Sequence, residues 1–431
     1  MSNPPAIAFM TLGCPKNEVD TDRMRAAVSA SAFRVTDDAD QADVIVLNTC
    51  GFITDAVEES VSVALDLADW RDERPGRRLV VAGCMVSRYR DALADAMPEA
   101  DAFVPLADEP HILGVIERLT GHAPQAFAGP ARTGGSVSEY LQISDGCFRS
   151  CAYCTIPAIR GPYRSRPFDE LTEEARLLVS HGARELVLIG QDTTSWGRDL
   201  PEAIGVTGLV RAIASTQGLA WLRLMYVQPD TVTPELIETI AEVPQVRHYL
   251  DIPLQHASPR VLKAMRRTGS GEAFLALIER IRSAVPAMVL RTTFIAGYPG
   301  ETEKDVDDLA EFIAEADLDY VAVLPFSAEE GTEAAGLPGQ LPEEEKAERA
   351  NHIRELADGI AAARAMRHVG EVLDVLSLGS DPEGQPVGRW SGQAPDVDGY
   401  VMLDRDVEPG RIVPVRISAS YGVDLEGEVV T

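Results

Sequence analysis

The sequence predicts an α/β chain in three parts: a doubly wound N-terminal domain, a partial (β/α)6 barrel and a small C-terminal all-β barrel. Three observations carry this reading. Strand-length apolar runs alternate with helical patterns over the first hundred residues and again from 138 to 330, the signature of layered α/β structure. After Gly370 the pattern changes to short β segments separated by Gly turns, which fits a barrel of about sixty residues. The six cysteines fall into two groups of three, one group spread over the first hundred residues and one confined to eight. A chain of 431 residues suits two to four domains, and the boundaries predicted are 1–105, a linker at 106–137, 138–368 and 369–431.

In the first part, 6–12 is apolar, Gly13-Cys14-Pro15-Lys16-Asn17 breaks the run, and a helical pattern continues to about residue 30. Strand 44–47 leads into Asn48-Thr49-Cys50-Gly51 and a helix over about 55–68; strand 79–82 leads into Gly83-Cys84 and another helix. A βαβαβα run implies a parallel sheet, whose strands present their carboxyl ends along one edge. Cys14, Cys50 and Cys84 each follow a strand and so should converge there; the alternative is three cysteines buried as small apolar side chains. Residues 106–137 read as a helix followed by an Ala/Gly/Pro-rich linker over 121–135.

In the second part, strands are expected at 140–144, 185–190, 221–227, 248–252, 288–295 and 320–325. Helices are expected at 172–181, 233–241, 259–267, 272–284 and 303–316. Six such units make an open partial barrel, with the site at the carboxyl ends of the strands. Collected there are Cys147 onward, Gln191-Asp192, Gln228, Gln255-His256, Gly297 to Glu301, and Ser327. A long helix over 342–368 precedes β segments at 371–378, 386–389, 399–403 and 412–418.

Composition excludes several classes. Apolar residues make up 45% and charged residues 25%, as in ordinary globular chains. No apolar run reaches the roughly 18 residues of a membrane span, and the Met-Ser-Asn-Pro-Pro start lacks the basic region of a secretory signal. A cytoplasmic protein with no membrane association is expected. Sixty-eight acidic residues against thirty-nine basic ones give a net charge of −29, which opposes general nucleic-acid binding and favours a basic partner. Phosphate loops, G-x-G-x-x-G and nucleophile-elbow motifs are absent, and His181 and His256 read as structural.

Three disulfides are poorly suited to a cytosolic chain of this size; two metal centres explain the cysteines better. Cys147-Phe-Arg-Ser-Cys151-Ala-Tyr-Cys154 offers three thiolates just after the first strand of the second part. A four-iron cluster takes four cysteines, so three leave one iron open to a small chelating molecule. Structural zinc wants a fourth ligand, and no nearby histidine supplies it.

C-x3-C-x2-C at this place in a six-unit α/β run resembles the radical S-adenosylmethionine enzymes. The resemblance implies that the open iron binds the amino and carboxylate groups of S-adenosylmethionine. The reduced cluster then cleaves the sulfonium and releases a 5'-deoxyadenosyl radical. It places Tyr153 in the aromatic slot near the adenine and Gly190-Gln191-Asp192 at the turn that holds the amino group, with Gln191 a departure from the family's pattern. Ile295-Ala-Gly297-Tyr-Pro-Gly300-Glu301 looks like the adenine-side turn. Arg291 can pair with a carboxylate of the cofactor or, alternatively, inside the barrel. Arg160, Arg164 and Arg166 form the main basic cluster, able to meet substrate or cofactor or merely to neutralise acidic neighbours.

The whole chain resembles the methylthiotransferases, which join an N-terminal three-cysteine domain, a radical domain and a TRAM barrel. The resemblance carries Cys14, Cys50 and Cys84 onto a second [4Fe-4S] cluster. One S-adenosylmethionine methylates a sulfur there; a second yields the radical that opens a C–H bond to receive the methylthio group. Gly13-Cys14-Pro15-Lys16-Asn17 and Ala394-Pro-Asp-Val-Asp398-Gly399 resemble the branch acting on an aspartate β-carbon of small-subunit ribosomal protein twelve. The other branch modifies an adenosine near the tRNA anticodon. From Glu371 to Thr431 there are twelve acidic residues and four arginines, a net of −8, and a barrel gripping RNA should be basic. Expected partners are therefore the ribosomal protein and an electron donor such as a flavodoxin or ferredoxin. An iron–sulfur scaffold without catalysis is the remaining alternative, separable by cofactor cleavage.

Overall fold

The structure, a computed structural model, describes residues 4–125, 127, 129–201 and 204–430. Of the predicted features, the first three residues of the Met-Ser-Asn-Pro-Pro start, two alanines of the linker stretch and the last residue of the C-terminal barrel lie outside them. The chain divides into two compact units. One comprises Met1–Gly135, Tyr140–Arg149 and Cys154–Arg164; the other comprises Ser136–Glu139, Ser150–Tyr153 and Ser165–Thr431.

The first unit is built on β1 (Ala6–Thr11), α1 (Pro15–Ser29), β2 (Arg34–Val35), β3 (Val44–Thr49), α2 (Thr54–Glu73), β4 (Arg78–Gly83), α3 (Cys84–Tyr89), α4 (Asp91–Ala96), β5 (Ala102–Pro105) and α5 (Ile112–Thr120). Its sheet has the order β2-β1-β3-β4-β5, with parallel pairing throughout. The three strands read from sequence form its centre. The two flanking strands, of two and four residues, are too short to leave an apolar run. Successive residues of the central strands face opposite layers. Ile45, Leu47, Leu79 and Val81 pack with Leu67 and Trp70 of α2. Val44, Val46, Val80 and Ala82 pack with Met24 and Val28 of α1 and Ile112 and Ile116 of α5. Helices thus cover both faces, which is why β3 reads as a continuous apolar run rather than an alternating one.

Next come β6 (Ser138–Gln142), β7 (Ser144–Asp145), α6 (Ile156–Ile159) and β8 (Arg164–Ser165), with β7 and β8 forming a short ladder. The second unit continues with α7 (Phe168–Ser180), β9 (Glu185–Ile189), α8 (Gly205–Ala214), β10 (Trp221–Leu224), α9 (Pro234–Glu242), β11 (Val246–Asp251), α10 (Pro259–Ala264), α11 (Gly271–Ala284), β12 (Val289–Ala296), α12 (Glu303–Ala316), β13 (Tyr320–Pro325) and α13 (Glu343–Met366). The sheet order β13-β12-β11-β10-β9-β6 follows the chain and stays open, as expected of six units. Strands β9 to β13 pair in parallel. Helix α12 starts on a capping box: Thr302 accepts from the Asp305 N–H and the Asp305 carboxylate accepts from the Thr302 N–H. Helix α13 buries one stripe, Lys346, Ala350, Ile353, Ala357 and Ala361.

β14 (Val372–Ser380), β15 (Pro386–Trp390), β16 (Val401–Leu403), β17 (Ile412–Tyr421) and β18 (Asp424–Val429) close into a barrel of order β14-β15-β16-β18-β17. Val413, Val415 and Ile417 alternate into its core. This barrel belongs to the second unit and is bound to that unit's sheet by buried charge. Arg389 donates to Glu185 and Ser138, and Arg223 donates to Glu185 at 3.0 Å and to the Ser391 carbonyl at 3.1 Å. Asp398, fully buried, accepts from the Tyr249 hydroxyl at 2.6 Å and from Arg291 at 3.2 Å. Among the described residues no helix is long and apolar enough to cross a membrane.

Candidate active site

Cys14, Cys50 and Cys84 stand immediately beyond β1, β3 and β4, which are adjacent in the sheet. The sequence brings them together through its small residues. Gly13 has φ +94°, and a Cβ there would lie 2.7 Å from the Cys50 Cβ and 3.1 Å from its Sγ. Only glycine permits both this conformation and this approach. Pro15 opens α1 directly after Cys14, where a helix needs no N–H.

Asn17, one turn into α1 and fully buried, ties the three loops together. Its amide donates to the carbonyls of Leu12 (2.9 Å) and Thr49 (3.1 Å), and its Oδ1 accepts from the Cys84 thiol at 3.4 Å. Asn48 returns a hydrogen bond to the Asn17 carbonyl. Burial pushes the Cys50 thiol up, and pushes that of Cys84 up to about 12 despite the Arg160 guanidinium beside it. Such thiols are poor nucleophiles by themselves; they become thiolates by binding a soft metal. Among the described residues no three His, Cys, Asp or Glu side chains close around a point as a single ion requires. Three thiols on neighbouring loops suit a multi-iron cluster through their soft-ligand chemistry, since the ligands of such a cluster stand on separate irons.

The second cysteine group lies on the loop between β7 and α6. The Cys147 sulfur accepts from the Arg149 N–H at 3.4 Å. The Cys151 sulfur lies 3.9 Å from the Arg267 guanidinium, which also donates to the Pro253 carbonyl at 2.8 Å. The Ala152 N–H donates to the Met265 carbonyl and its carbonyl accepts from Ala334, while Tyr153 packs against the cluster of Val261, Met265, Tyr298 and Phe326. Sequence reasoning does not reach Arg267; its only signal is the Arg266-Arg267 doublet after α10.

The other predicted residues occupy strand ends of the second unit. Gly190, Gln191 and Asp192 follow β9, with Asp192 buried and accepting from Thr194 at 3.1 Å. Two non-glycine residues beyond neighbouring strands hold left-handed backbone, Tyr226 (φ 60°) after β10 and Gln255 (φ 72°) after β11, a strain that concentrates at functional sites. The buried Gln228 Oε1 and Ser195 Oγ have no hydrogen-bond partner among the described residues, as expected of a pocket built for a polar molecule.

His256 is fully buried: its Nδ1 accepts from the Ser258 N–H, which leaves Nε2 to donate to Glu301 at 3.3 Å. Burial raises the Glu301 carboxyl, but hydrogen bonds from His256 and Arg349 outweigh it and hold the group below its ordinary value. Glu301 also accepts from the Gly297 N–H at 3.0 Å. Gly297 has φ +78°, and a Cβ on it would lie 2.8 Å from the Lys346 side chain, so this turn requires glycine for packing against α13. Arg291, for which the sequence leaves a cofactor carboxylate and a partner inside the barrel both open, pairs inside the protein. Its guanidinium lies 3.1 Å from Asp251 and 3.2 Å from Asp398. The reason is position: Arg291 lies in the first half of β12, away from the strand end where the predicted contacts gather.

Of the three arginines after the loop, Arg166 pairs with Glu174 at 2.6 Å. Arg160 is 2% exposed and pairs with Asp20 (2.8 Å) and Asp145 (3.2 Å). Arg164 borders a cavity of about 720 Å³ in the first unit, together with Ser87, Arg90 and Asp145.

The cysteine loop at the head of an open six-stranded α/β sheet defines a radical S-adenosylmethionine enzyme, a class that works with an iron–sulfur cluster and S-adenosylmethionine. Residues 141–313 match the Radical SAM superfamily, 369–430 the TRAM domain, and 6–105 a family described as uncharacterized protein family UPF0004. Relatives align over nearly the whole length. The ribosomal protein uS12 methylthiotransferase RimO of Symbiobacterium thermophilum is 42% identical, over 99% of this chain and 91% of its own. Its namesake from Geobacter sulfurreducens is 39% identical, over 99% and 98%. The chain belongs to this methylthiotransferase family. Solved structures share the fold at low identity. The radical S-adenosylmethionine methyltransferase TsrM of Kitasatospora setae superposes with a TM-score of 0.56 at 14% identity, covering 88% of this chain and 79% of its own. The cobalamin-dependent radical enzyme OxsB gives 0.52 at 12%, covering 83% and 56%.

Proposed function

We propose that the chain methylthiolates the β-carbon of an aspartate in small-subunit ribosomal protein twelve (uS12), in the cytoplasm, drawing electrons from a flavodoxin or ferredoxin. The observation that carries this is the convergence of Cys14, Cys50 and Cys84 on one sheet edge, in addition to the radical-domain loop. A radical enzyme needs only one three-thiol site to cleave its cofactor; a second soft-ligand site is what sulfur chemistry adds. In this reading Cys147, Cys151 and Cys154 hold one four-iron cluster and Cys14, Cys50 and Cys84 another. Bound there, the clusters would supply the electron for S-adenosylmethionine cleavage and a place for the transferred sulfur.

The chain's own residues do the rest. Tyr153, on its apolar bed, and Gly190-Gln191-Asp192 orient the cofactor. Gln228 offers it a buried acceptor that has no hydrogen-bond partner among the described residues. Gly297 shapes the adenine-side turn through Glu301 and Lys346. The C-terminal barrel contributes charge. Among the described residues its ion pairs with the neighbouring sheet, through Arg389 and Asp398, remove one charge of each sign, so eleven acidic residues and three arginines remain for other surfaces. That balance supports a basic protein partner over RNA.

A competition assay tests the proposal. Anaerobically reconstituted enzyme receives S-adenosylmethionine, reductant, sulfide, uS12 and bulk tRNA together, and mass spectrometry locates the methylthio group. A label on an aspartate of uS12 is expected; a label on adenosine overturns the substrate while leaving the radical chemistry in place.

A further inference from the structure

Resting on the reading of Cys14, Cys50 and Cys84 as ligands of a second cluster, we propose that Arg160 is a positioning residue for that cluster: its buried guanidinium, anchored by Asp20, Asp145 and Asn17, donates to the Cys84 sulfur and stabilises the anionic thiolate-bound site. Arg160 follows α6, on the segment just after the radical-domain cysteines, in the same unit as Cys84. Its Nη2 lies 2.8 Å from Asp20, 3.0 Å from the Asn17 Oδ1 and 3.5 Å from the Cys84 Sγ, and its Nη1 lies 3.2 Å from Asp145.

Ligation changes the hydrogen bonding of Cys84. As a thiol it donates to Asn17 Oδ1 at 3.4 Å. As a thiolate it has no proton to give, and that bond is lost. Asn17 Oδ1 stays satisfied by Arg160, and the guanidinium turns from a neighbour of the sulfur into its charge-assisted donor. Hydrogen bonds and positive charge beside cluster sulfurs make the oxidised, less negative state relatively less favourable and so raise the reduction potential.

A guanidinium is suited to this because it forks. One face is pinned by the two carboxylates, and the Nη2 hydrogen not given to Asp20 is shared between the Asn17 Oδ1 and the Cys84 sulfur. The anchors also fix the balance: Asp20 is buried and Asp145 is 42% exposed, so Asp145 is the better screened of the two. A purely structural ion pair would need neither the Asn17 contact nor the approach to Cys84. The radical-domain loop repeats the device, with Arg267 beside Cys151.

The test uses the full chain with Cys147, Cys151 and Cys154 replaced by alanine, reconstituted anaerobically with ferrous iron and sulfide, so that only the N-terminal site contributes signal. Iron per chain and the midpoint potential, followed by electron paramagnetic resonance, are the readouts. Arg160→Gln should shift the reduction equilibrium about tenfold toward the oxidised state, about 59 mV for one electron. Arg160→Lys, which keeps the charge but not the fork, should recover part of that shift. Asp145→Asn, at a partly exposed anchor, should move the potential the opposite way, and it decides the matter should Arg160→Gln fail to fold. Iron-loaded Arg160→Gln or Asp145→Asn with the parent's potential overturns the proposal alone. A parent chain that takes up no iron refutes the second-cluster reading and the proposal with it.

Discussion

Glu185→Gln should loosen the C-terminal barrel from the sheet that carries it. Glu185 is fully buried and accepts from Arg223 at 3.0 Å, from Ser138 at 2.9 Å and from Arg389. Burial alone would raise its carboxyl, but the two guanidiniums of Arg389 and Arg223 win and hold it below the ordinary value. The substitution keeps the shape and the Ser138 contact but removes the carboxylate. Two buried arginines are then left facing a neutral amide; among the described residues the other partners of Arg223 are the Ser391 carbonyl and the face of Tyr249, 4.4 Å away. At an effective dielectric near 20, a unit pair at 4 Å is worth about 4 kcal/mol before desolvation. Breaking one partner of a buried pair costs about 3–5 kcal/mol net, a large share of an ordinary domain's stability of about 5–15 kcal/mol.

Urea unfolding followed by circular dichroism and by the fluorescence of Trp390 should show this loss, with the transition involving the barrel appearing first. Linkage provides a second check. A depressed carboxylate contributes in full above its unfolded value of about 4.3 and loses the contribution as pH falls through its folded value. Wild-type stability should therefore drop across that acid window, and the Glu185→Gln chain should lack this component. A loss below about 0.5 kcal/mol at neutral pH, with the acid profile unchanged, would refute the reasoning.

Gly13→Ala should cost about 1–2 kcal/mol for the left-handed backbone and about 1–3 kcal/mol for overpacking against Cys50; iron content of the N-terminal site should fall more than that of the radical-domain site. Cys151→Ala should abolish conversion of S-adenosylmethionine to 5'-deoxyadenosine, whereas Cys50→Ala should retain some of it and lose sulfur insertion; equal loss of both activities in both variants would undo that division. Thr302→Ala removes one half of the capping box of α12 and should cost about 1 kcal/mol, read as a lowered melting temperature with cofactor cleavage unchanged at low temperature.

The parts of the fold that rest on long apolar runs were legible: β1, β3 and β4 around the first cysteines, the six-stranded open sheet, and the closing switch to a small barrel. β2 and β5 were not, because a two-residue strand pairing only at Ala6 and Ile7 leaves no pattern, and β5 is defined by its neighbour β4 rather than by its own composition. The cysteines were legible as ligand candidates because a thiol's chemistry belongs to the residue itself. Arg291 and Arg267 were not separable in this way. Both are arginines in the radical domain, and what distinguishes them is position: Arg291 meets the carboxylates of Asp251 and Asp398, while Arg267 reaches a cysteine sulfur. A local sequence pattern cannot say which partner a long charged side chain finds across 107 residues, as Arg291 does with Asp398.

The same distinction changes what the two branch-like signatures mean. Asn17 and Asp398 are both completely buried, so neither can touch a macromolecular substrate in this conformation. Asn17 spends its amide on the loops that carry the cysteines, and Asp398 spends its carboxylate on Tyr249, Arg291 and the Ala394 N–H. Their value as substrate signals is therefore indirect. They specify how a thiol site is assembled and where a barrel is held, and discrimination between a ribosomal protein and RNA must come from groups that reach solvent. The acidic excess of the C-terminal barrel is such a group, and it survives the removal of both buried pairs. Reversing it by several Asp or Glu to Lys changes on the outer face should weaken binding of a basic protein and flatten its loss with salt, because the attraction that salt screens is gone, while leaving Asp398, Arg389 and the cysteine loops untouched.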